Sequence, residues 1–173
     1  IFHKDMPEDY LNEIFNVIEN TPHHTYQVLT KRAERMKEYF SKRPIPKNIW
    51  LGVTVDNKNE GLPRIDLLRN IDAKVLFLSV EPLLEDLGEI NLTNINWVIV
   101  GGESGNKARP MEKDWVLNIK QQCEDNDVAF FFKQWGTWGA DKIKRSKKLN
   151  GKVLDGKIWQ QYPEVIEQQY ALV

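Results

Sequence analysis

The sequence predicts an α/β fold of mostly parallel strands, a partial, TIM-like βα barrel, with an open doubly wound sheet as the alternative. Two observations carry that reading. Strand-like and helix-like segments alternate every ~20 to 30 residues, the spacing of right-handed βαβ units. The middle strands are continuous apolar runs rather than alternating ones, which points to burial on both faces beneath covering helices.

Residues 7 to 19 place Leu11, Ile14, Phe15 and Ile18 at helical spacing behind Pro7 and two acids, so they form an amphipathic helix. Thr25 to Thr30 is short and rich in β-formers. Ala33 to Lys42 then buries Met36, Tyr39 and Phe40 on one helix face. Behind Pro44 and Pro46, Ile49 to Val55 is the second strand, and 59 to 70, with Leu62, Ile65, Leu68 and Arg69, is the next crossover helix. Lys74 to Val80 and Asn96 to Val100 are the third and fourth strands, joined by a looser stretch with Leu83, Leu84 and Leu87. A helix over 114 to 124 aligns Trp115, Ile119 and Cys123, and Ala129 to Lys133 is the fifth strand. Beyond Trp135 come a basic loop and a turn at Asn150-Gly151 or Asp155-Gly156.

Five strands are too few for an eightfold barrel, and the chain opens on a helix with no strand before it and on Ile rather than Met. The expectation is therefore a fragment or processed product of a longer βα protein; a complete five-stranded doubly wound domain is the alternative. The βα-repeat domain spans 1–136, and 137–173 is a basic loop and extension packed on it. Removal of initial strands would leave Thr25 to Thr30 at an uncovered sheet edge, a route to homo-oligomers.

Hydrophobic residues make up 41% of the 173 and charged residues 28%, interspersed, which excludes a disordered tail or a fibre. No apolar run is long enough for a membrane span, and no signal peptide is visible, so the expected setting is cytoplasmic and no membrane partner is expected. A net charge of −1 gives no global field toward nucleic acid, so any such contact must be local. The lone Cys123 leaves no disulfide framework and no Cys-based metal site, and His3, His23 and His24 have no metal-ligand spacing, so no metal is assigned.

In parallel α/β folds, ligands bind beyond the carboxyl ends of the strands. Those ends supply Thr30, Lys31 and Arg32; Thr54 and Asp56; Ser79 and Glu81; Gly102, Glu103 and Ser104; and Lys133, Gln134 and Trp135. Such charge on one rim must pair, coordinate or bind a polar ligand. The substrate-binding candidates are Lys31, Arg32, Thr54, Glu81, Glu103, Lys133, Gln134 and Trp135, for a polar or anionic small molecule. The competing reading is mutual pairing, Glu81 with Lys31 and Glu103 with Lys133. Gly101-Gly102-Glu103-Ser104-Gly105 is the sharpest local motif, yet it fails both GxGxxG and GK[ST], and its acid opposes phosphate. A sharp structural turn explains it equally well.

From Lys142 to Lys152 there are six basic residues and no acid, near Trp135 and Trp138. Cations beside aromatics can hold single-stranded nucleic acid, which makes Trp138, Lys142, Lys144, Arg145, Lys147 and Lys148 the alternative contact set. A solvated basic loop is the plainer reading. Cys123 on an apolar helix face is packing.

The phrases TYQVLTKRAERM, NIWLGVTVDN, LFLSVEPLLEDL, WVIVGGESG, ARPM and FFFKQWGTW, taken in order, resemble the phage and prophage proteins of the gp thirty-seven and gp sixty-eight type, a family of unknown function. The resemblance runs from Phe2-His3-Lys4-Asp5-Met6-Pro7 to Leu154, Asp155, Gly156 and Trp159. It implies a longer protein with a cysteine cluster of the CxxxxxxCxxCY sort, similar to radical S-adenosylmethionine enzymes, whose partial barrels bind a four-iron, four-sulfur cluster beside that cofactor. This chain has no such cluster, so no cofactor is expected in it and no radical activity from it alone. The resemblance also implies a cofactor-amine role for Gly101, Gly102 and Glu103, although here the motif follows a late strand. A structural or interaction protein is the remaining class.

Overall fold

The computed structural model describes residues 1–164; the part of the expected C-terminal extension over 165–173 lies outside the described residues. Five strands, β1 (Tyr26–Thr30), β2 (Ile49–Thr54), β3 (Val75–Val80), β4 (Trp97–Gly101) and β5 (Ala129–Gln134), form one sheet in the order β1-β2-β3-β4-β5, every neighbouring pair parallel. Helices α1 (Glu8–Glu19), α2 (Ala33–Ser41), α3 (Lys58–Leu68) and α4 (Lys113–Asp125) alternate with them, except that residues 81 to 96 join β3 to β4 without a helix.

The strand order decides between the two sheet readings. A doubly wound sheet reverses its order to place helices on both faces, whereas right-handed crossovers in unbroken sequence order put every helix on the same face, as in a barrel wall. Burial agrees. Val28, Leu51, Val53, Leu76, Leu78, Val98, Val100, Phe130 and Phe132 share one core with Leu11 and Phe15 of α1, Met36 of α2, Ile65 of α3 and Ile119 of α4. These strand residues are alternate positions, so they occupy one face of the sheet.

The other face corrects one premise of the sequence reading. Among the described residues no helix covers it; its central strands are buried by aromatic side chains instead. The Trp97 ring centroid lies 5.9 Å from those of Trp50 and Phe77 and 5.8 Å from that of Phe131, and Tyr162 adds a contact at 5.3 Å. Phe77 and Trp97 are almost fully buried, while Leu29 on β1 remains 42% exposed. Continuous apolarity in β3 and β4 thus reflects helices on one side and a concave aromatic lining on the other.

Helix ends fall within two residues of the expected ones. In α4 the apolar stripe centres on Val116, Ile119 and Cys123, with Trp115 half-buried beside it, because i, i+3, i+7 spacing selects Val116 over its neighbour. Asp155-Gly156 makes the hairpin turn between β6 (Val153–Leu154) and β7 (Lys157–Ile158), both residues at positive φ as a primed turn requires. The chain then runs antiparallel along the outer edge of β5: Phe132 N donates to Trp159 O, and Gln161 N donates to Phe130 O. That segment covers one sheet edge; β1 forms the other. No helix among the described residues is long and apolar enough to cross a membrane.

Candidate functional site

The concave face changes character along its length. Going toward the carboxyl ends, the aromatic lining gives way to Lys31 after β1, Asp56 after β2, Glu81 after β3, Glu103 after β4 and Lys133 on β5. The strand ends therefore deliver polar side chains where a parallel fold presents its ligand site.

These groups divide into three ion pairs, none of which is a pairing expected from sequence. Lys31 Nζ lies 2.6 Å from Asp56 Oδ2, and Arg64 of α3 reaches Asp56 Oδ1 at 3.2 Å. Lys133 Nζ donates to Glu81 Oε2 at 2.8 Å, and Gln134 Nε2 donates to Glu81 Oε1 at 3.2 Å and to Gly102 O at 3.0 Å. Arg109 closes on Glu103 through Nε at 2.9 Å, Nη2 at 2.7 Å and its backbone N–H at 2.8 Å. Glu81 and Glu103 thus take Lys133 and Arg109 as partners rather than Lys31 and Lys133: the β4–β5 register shifts after Val100, pairing Gly101 with Gln134 and leaving Lys133 as the extra residue, and the missing side chain of Gly101 leaves room for Glu81 across β4. A Cβ there would stand 3.0 Å from Glu81 Oε1.

Glu81, Pro82, Gly102, Glu103, Ser104, Lys133 and Gln134 line one side of an open cleft of about 670 Å³; Lys147, Lys148, Gly151 and Lys152 line the other. The short helix α5 (Lys147–Asn150), capped by Ser146 Oγ on Leu149 N, turns its lysines toward the rim. Asn150 anchors the loop by donating to Gly136 O and Thr137 O. Lys152 Nζ donates to Gln160 Oε1 at 2.9 Å. Among the described residues, Lys147 and Lys148 have no ion pair or hydrogen-bonding side chain.

Of the eight substrate-side candidates, the cleft gathers Glu81, Glu103, Lys133 and Gln134. Lys31 is held at Asp56, outside the cleft lining, and Arg32 sits at the N-cap of α2, its backbone N–H on Thr30 Oγ1. Thr54 is buried, its carbonyl receiving Arg64. Trp135 is 2% exposed and donates its indole N–H to Val153 O, so it is a core residue beneath the cleft. Sequence reasoning missed Arg64 and Arg109. The ARPM phrase around Arg109 was visible, yet only the folded loop shows that it turns back on Glu103.

The GGE motif is engaged by the chain itself. Gly101 O accepts from Leu83 N, Gly102 O from Gln134 Nε2, and Glu103 O from Thr137 N, while the Glu103 carboxylate is closed by Arg109. Each of these oxygens thus already accepts a hydrogen bond from within the chain, which gives the motif a structural role in the turn. A Cβ on Gly102 would stand 1.9 Å from Trp135 O, so this glycine serves close packing of the loops after β4 and β5. Cys123 does not fit an iron-sulfur ligand: it is buried on α4, and burial pushes its thiol up to about 12. Among the described residues no group of three or more His, Cys, Asp or Glu could hold a metal ion.

In the alternative nucleic-acid set, most members already have partners. Lys142 pairs with Glu112, Arg145 with Asp141 at 2.6 Å, and Lys144 Nζ lies 4.8 Å from the Trp138 ring centroid. The Trp138 indole N–H donates to Ala108 O at 2.7 Å.

The Arg109 hydrogen bonds and charge hold the Glu103 carboxyl down to about 2, and the Arg145 hydrogen bonds and charge hold Asp141 there too. A depressed carboxyl contributes stability that is fully present above its unfolded value, about 4.5 for Glu, and is lost as the pH falls through the folded one. Because the Arg109 side is solvated, R109Q is expected to lower the melting temperature at pH 6 by only about 3 °C. The difference from wild type should shrink toward zero between pH 4.5 and 2, which thermal melts across that window would read; a constant difference would refute the assignment.

Residues 1–163 match the model of a family described as "Protein of unknown function (DUF5131)". No curated protein and no solved structure gives a match.

Proposed function

We propose that this chain, which belongs to the DUF5131 family, binds a small polar anion in the cleft at the carboxyl ends of β3, β4 and β5, as the substrate side of a βα-barrel enzyme. The observation that carries the reading is convergence. Three separate strand ends and α5 send Glu81, Glu103, Lys133, Gln134, Lys147, Lys148 and Lys152 to one cleft. Four lysines against two glutamates leave that cleft positive on a chain whose net charge is −1.

The phage-type resemblance extends the proposal to a radical S-adenosylmethionine enzyme, with cluster and cofactor held by residues other than those of this chain. Cys123 is buried on α4 and is no cluster ligand, so the present residues are assigned substrate binding. Anaerobic iron and sulfide reconstitution of a longer protein that includes the cysteine segment tests this extension. A reducible four-iron cluster is expected; its absence removes the radical assignment and leaves the cleft assignment intact.

The cleft assignment is tested on the chain itself by ligand-observed NMR with phosphate, citrate and neutral glycerol. Saturable binding of the anions, weakened about tenfold when Lys147 and Lys148 are replaced by alanine, is expected, with none for glycerol. Failure of both anions to bind at millimolar concentration would overturn it. Single-stranded DNA, titrated at two salt concentrations, is expected to bind weakly or not at all, because Trp138 and most of the basic loop are already engaged.

A further inference from the structure

The two walls of the cleft offer different chemistry, and that difference narrows the ligand. On the α5 side, Lys147 and Lys148 project free ammonium groups, with Lys152 beside them. No carboxylate among the lining residues belongs to that side. Compact, unpaired ammonium groups on a mobile stem suit a phosphate, whose charge they meet without fixed geometry.

The opposite wall is rich in acceptors. Each ionised carboxylate has about four lone-pair positions. Glu81 uses one oxygen for Lys133 and the other for Gln134, so both oxygens retain acceptor capacity. Gln134 adds a more telling group. Its Nε2 faces two acceptors, Glu81 Oε1 and Gly102 O, which fixes the orientation of the amide, and its Oε1 is buried with no hydrogen-bond partner. A buried acceptor without a donor is costly until something donates to it. That oxygen is closed to solvent, so the acceptors this wall opens to a ligand are those of the Glu81 carboxylate, and a hydroxyl suits them.

Aromatic platforms are missing from this lining. Trp135 lies beneath the surface with its N–H committed to Val153 O, and Pro82 is the nonpolar side chain present. A ligand held mainly by base stacking is therefore disfavoured relative to a polyol.

From this asymmetry we infer that the cleft takes a phosphorylated polyhydroxy compound, a sugar phosphate or the ribose-phosphate part of a nucleotide, with phosphate on Lys147 and Lys148 and hydroxyls on Glu81. The inference rests on the anion-binding reading above and adds the ligand class and its direction. Glu103 lines the cleft but is paired with Arg109, so its charge weighs less against a phosphate held on the α5 side.

Calorimetric titration of the chain with ribose 5-phosphate, ribose, inorganic phosphate, gluconate and adenosine 5′-monophosphate tests it. Ribose 5-phosphate should bind at least tenfold more tightly than either ribose or inorganic phosphate. The K147A/K148A variant, altering two exposed side chains, should weaken it about tenfold and leave the melting temperature unchanged. E81Q should weaken ribose 5-phosphate but not inorganic phosphate. Adenosine 5′-monophosphate binding as tightly as ribose 5-phosphate supports a nucleotide source, and weaker binding supports a free sugar phosphate. If inorganic phosphate or gluconate binds as well as ribose 5-phosphate, the ligand class is wrong while the anion cleft stands. If none of the five binds, both fail.

Discussion

Alanine at Gly102 is expected to destabilise the protein by about 3–5 kcal/mol, a fall in melting temperature of about 10 °C or more. The new methyl group would stand 1.9 Å from Trp135 O and 2.7 Å from its carbonyl carbon, and both are backbone atoms that no rotamer change can move aside. The loop after β5 cannot retreat easily. Gly102 N donates to Gln134 O, Trp135 N donates to Gly151 O, Thr137 N donates to Glu103 O, and the Trp135 side chain is fixed in the core by Val153 and Phe132. Relief must come from parting the two loops, which opens the floor of the cleft. G101A makes the informative contrast. Its Cβ would meet the Glu81 carboxylate at 3.0 Å, the movable end of a side chain, so the expected cost is about 1 kcal/mol with a displaced Glu81–Lys133 pair. Chemical denaturation of the two variants would decide the matter. Equal stability of G102A and wild type would show that the GGE turn is not a packing device.

The same motif shows where the sequence was and was not legible. Each strand could be placed within a residue or two because its apolar run is bounded by Pro, Asn, Gly or charged residues, signals local to the chain. Strand order is a tertiary property, and no local pattern distinguishes a wall that winds once from one that winds twice. The apolar runs do not decide this point: Phe77 and Trp97 bury the second face of the sheet by contact with each other, work that a helix layer performs in a doubly wound fold. At the site, the rule of strand ends pointed to Glu81, Glu103, Lys133 and Gln134, which line one cleft. It could not tell which cation meets which acid, because those choices depend on register and on a gap at Gly101 that is meaningful only beside Glu81. The basic loop was legible as charge but not as geometry. It divides into residues tied down locally, such as Arg145 on Asp141, and Lys147 and Lys148, which face the cleft.

Arg64 carries the second large effect, and it separates the structural half of the rim from the ligand-binding half. Its side chain is 9% exposed, yet it is charged, and it is tolerated there because Nη1 donates to Thr54 O at 2.8 Å and to Asp56 Oδ1 at 3.2 Å while Nη2 reaches Glu60. Burial alone would push the Asp56 carboxyl up, but the Lys31 hydrogen bond, the backbone and the charges of Lys31 and Arg64 outweigh it and hold the group below the ordinary range. R64M keeps most of the volume and removes the donors. The expected cost is about 3 kcal/mol, because the buried Asp56 carboxylate is left with one ion-pair partner among the described residues, Lys31, whose side chain is half exposed. R64K should recover about half, since one ammonium cannot serve both Thr54 O and the two carboxylates. The pH dependence has a definite sign: the Asp56 contribution is present above its unfolded value near 3.8 and lost as the pH falls below it, so R64M and wild type should converge in strong acid. A double-mutant cycle with D56N, followed by urea denaturation at pH 7, should give a coupling of about 1–2 kcal/mol. Additive effects would mean that Arg64 stabilises the ends of β1 and β2 by packing alone. Binding of anions in the cleft should survive R64M wherever the protein remains folded, because neither Arg64 nor Asp56 lines it; loss of binding in folded R64M would place these residues in the ligand site and redraw its boundary across the whole rim.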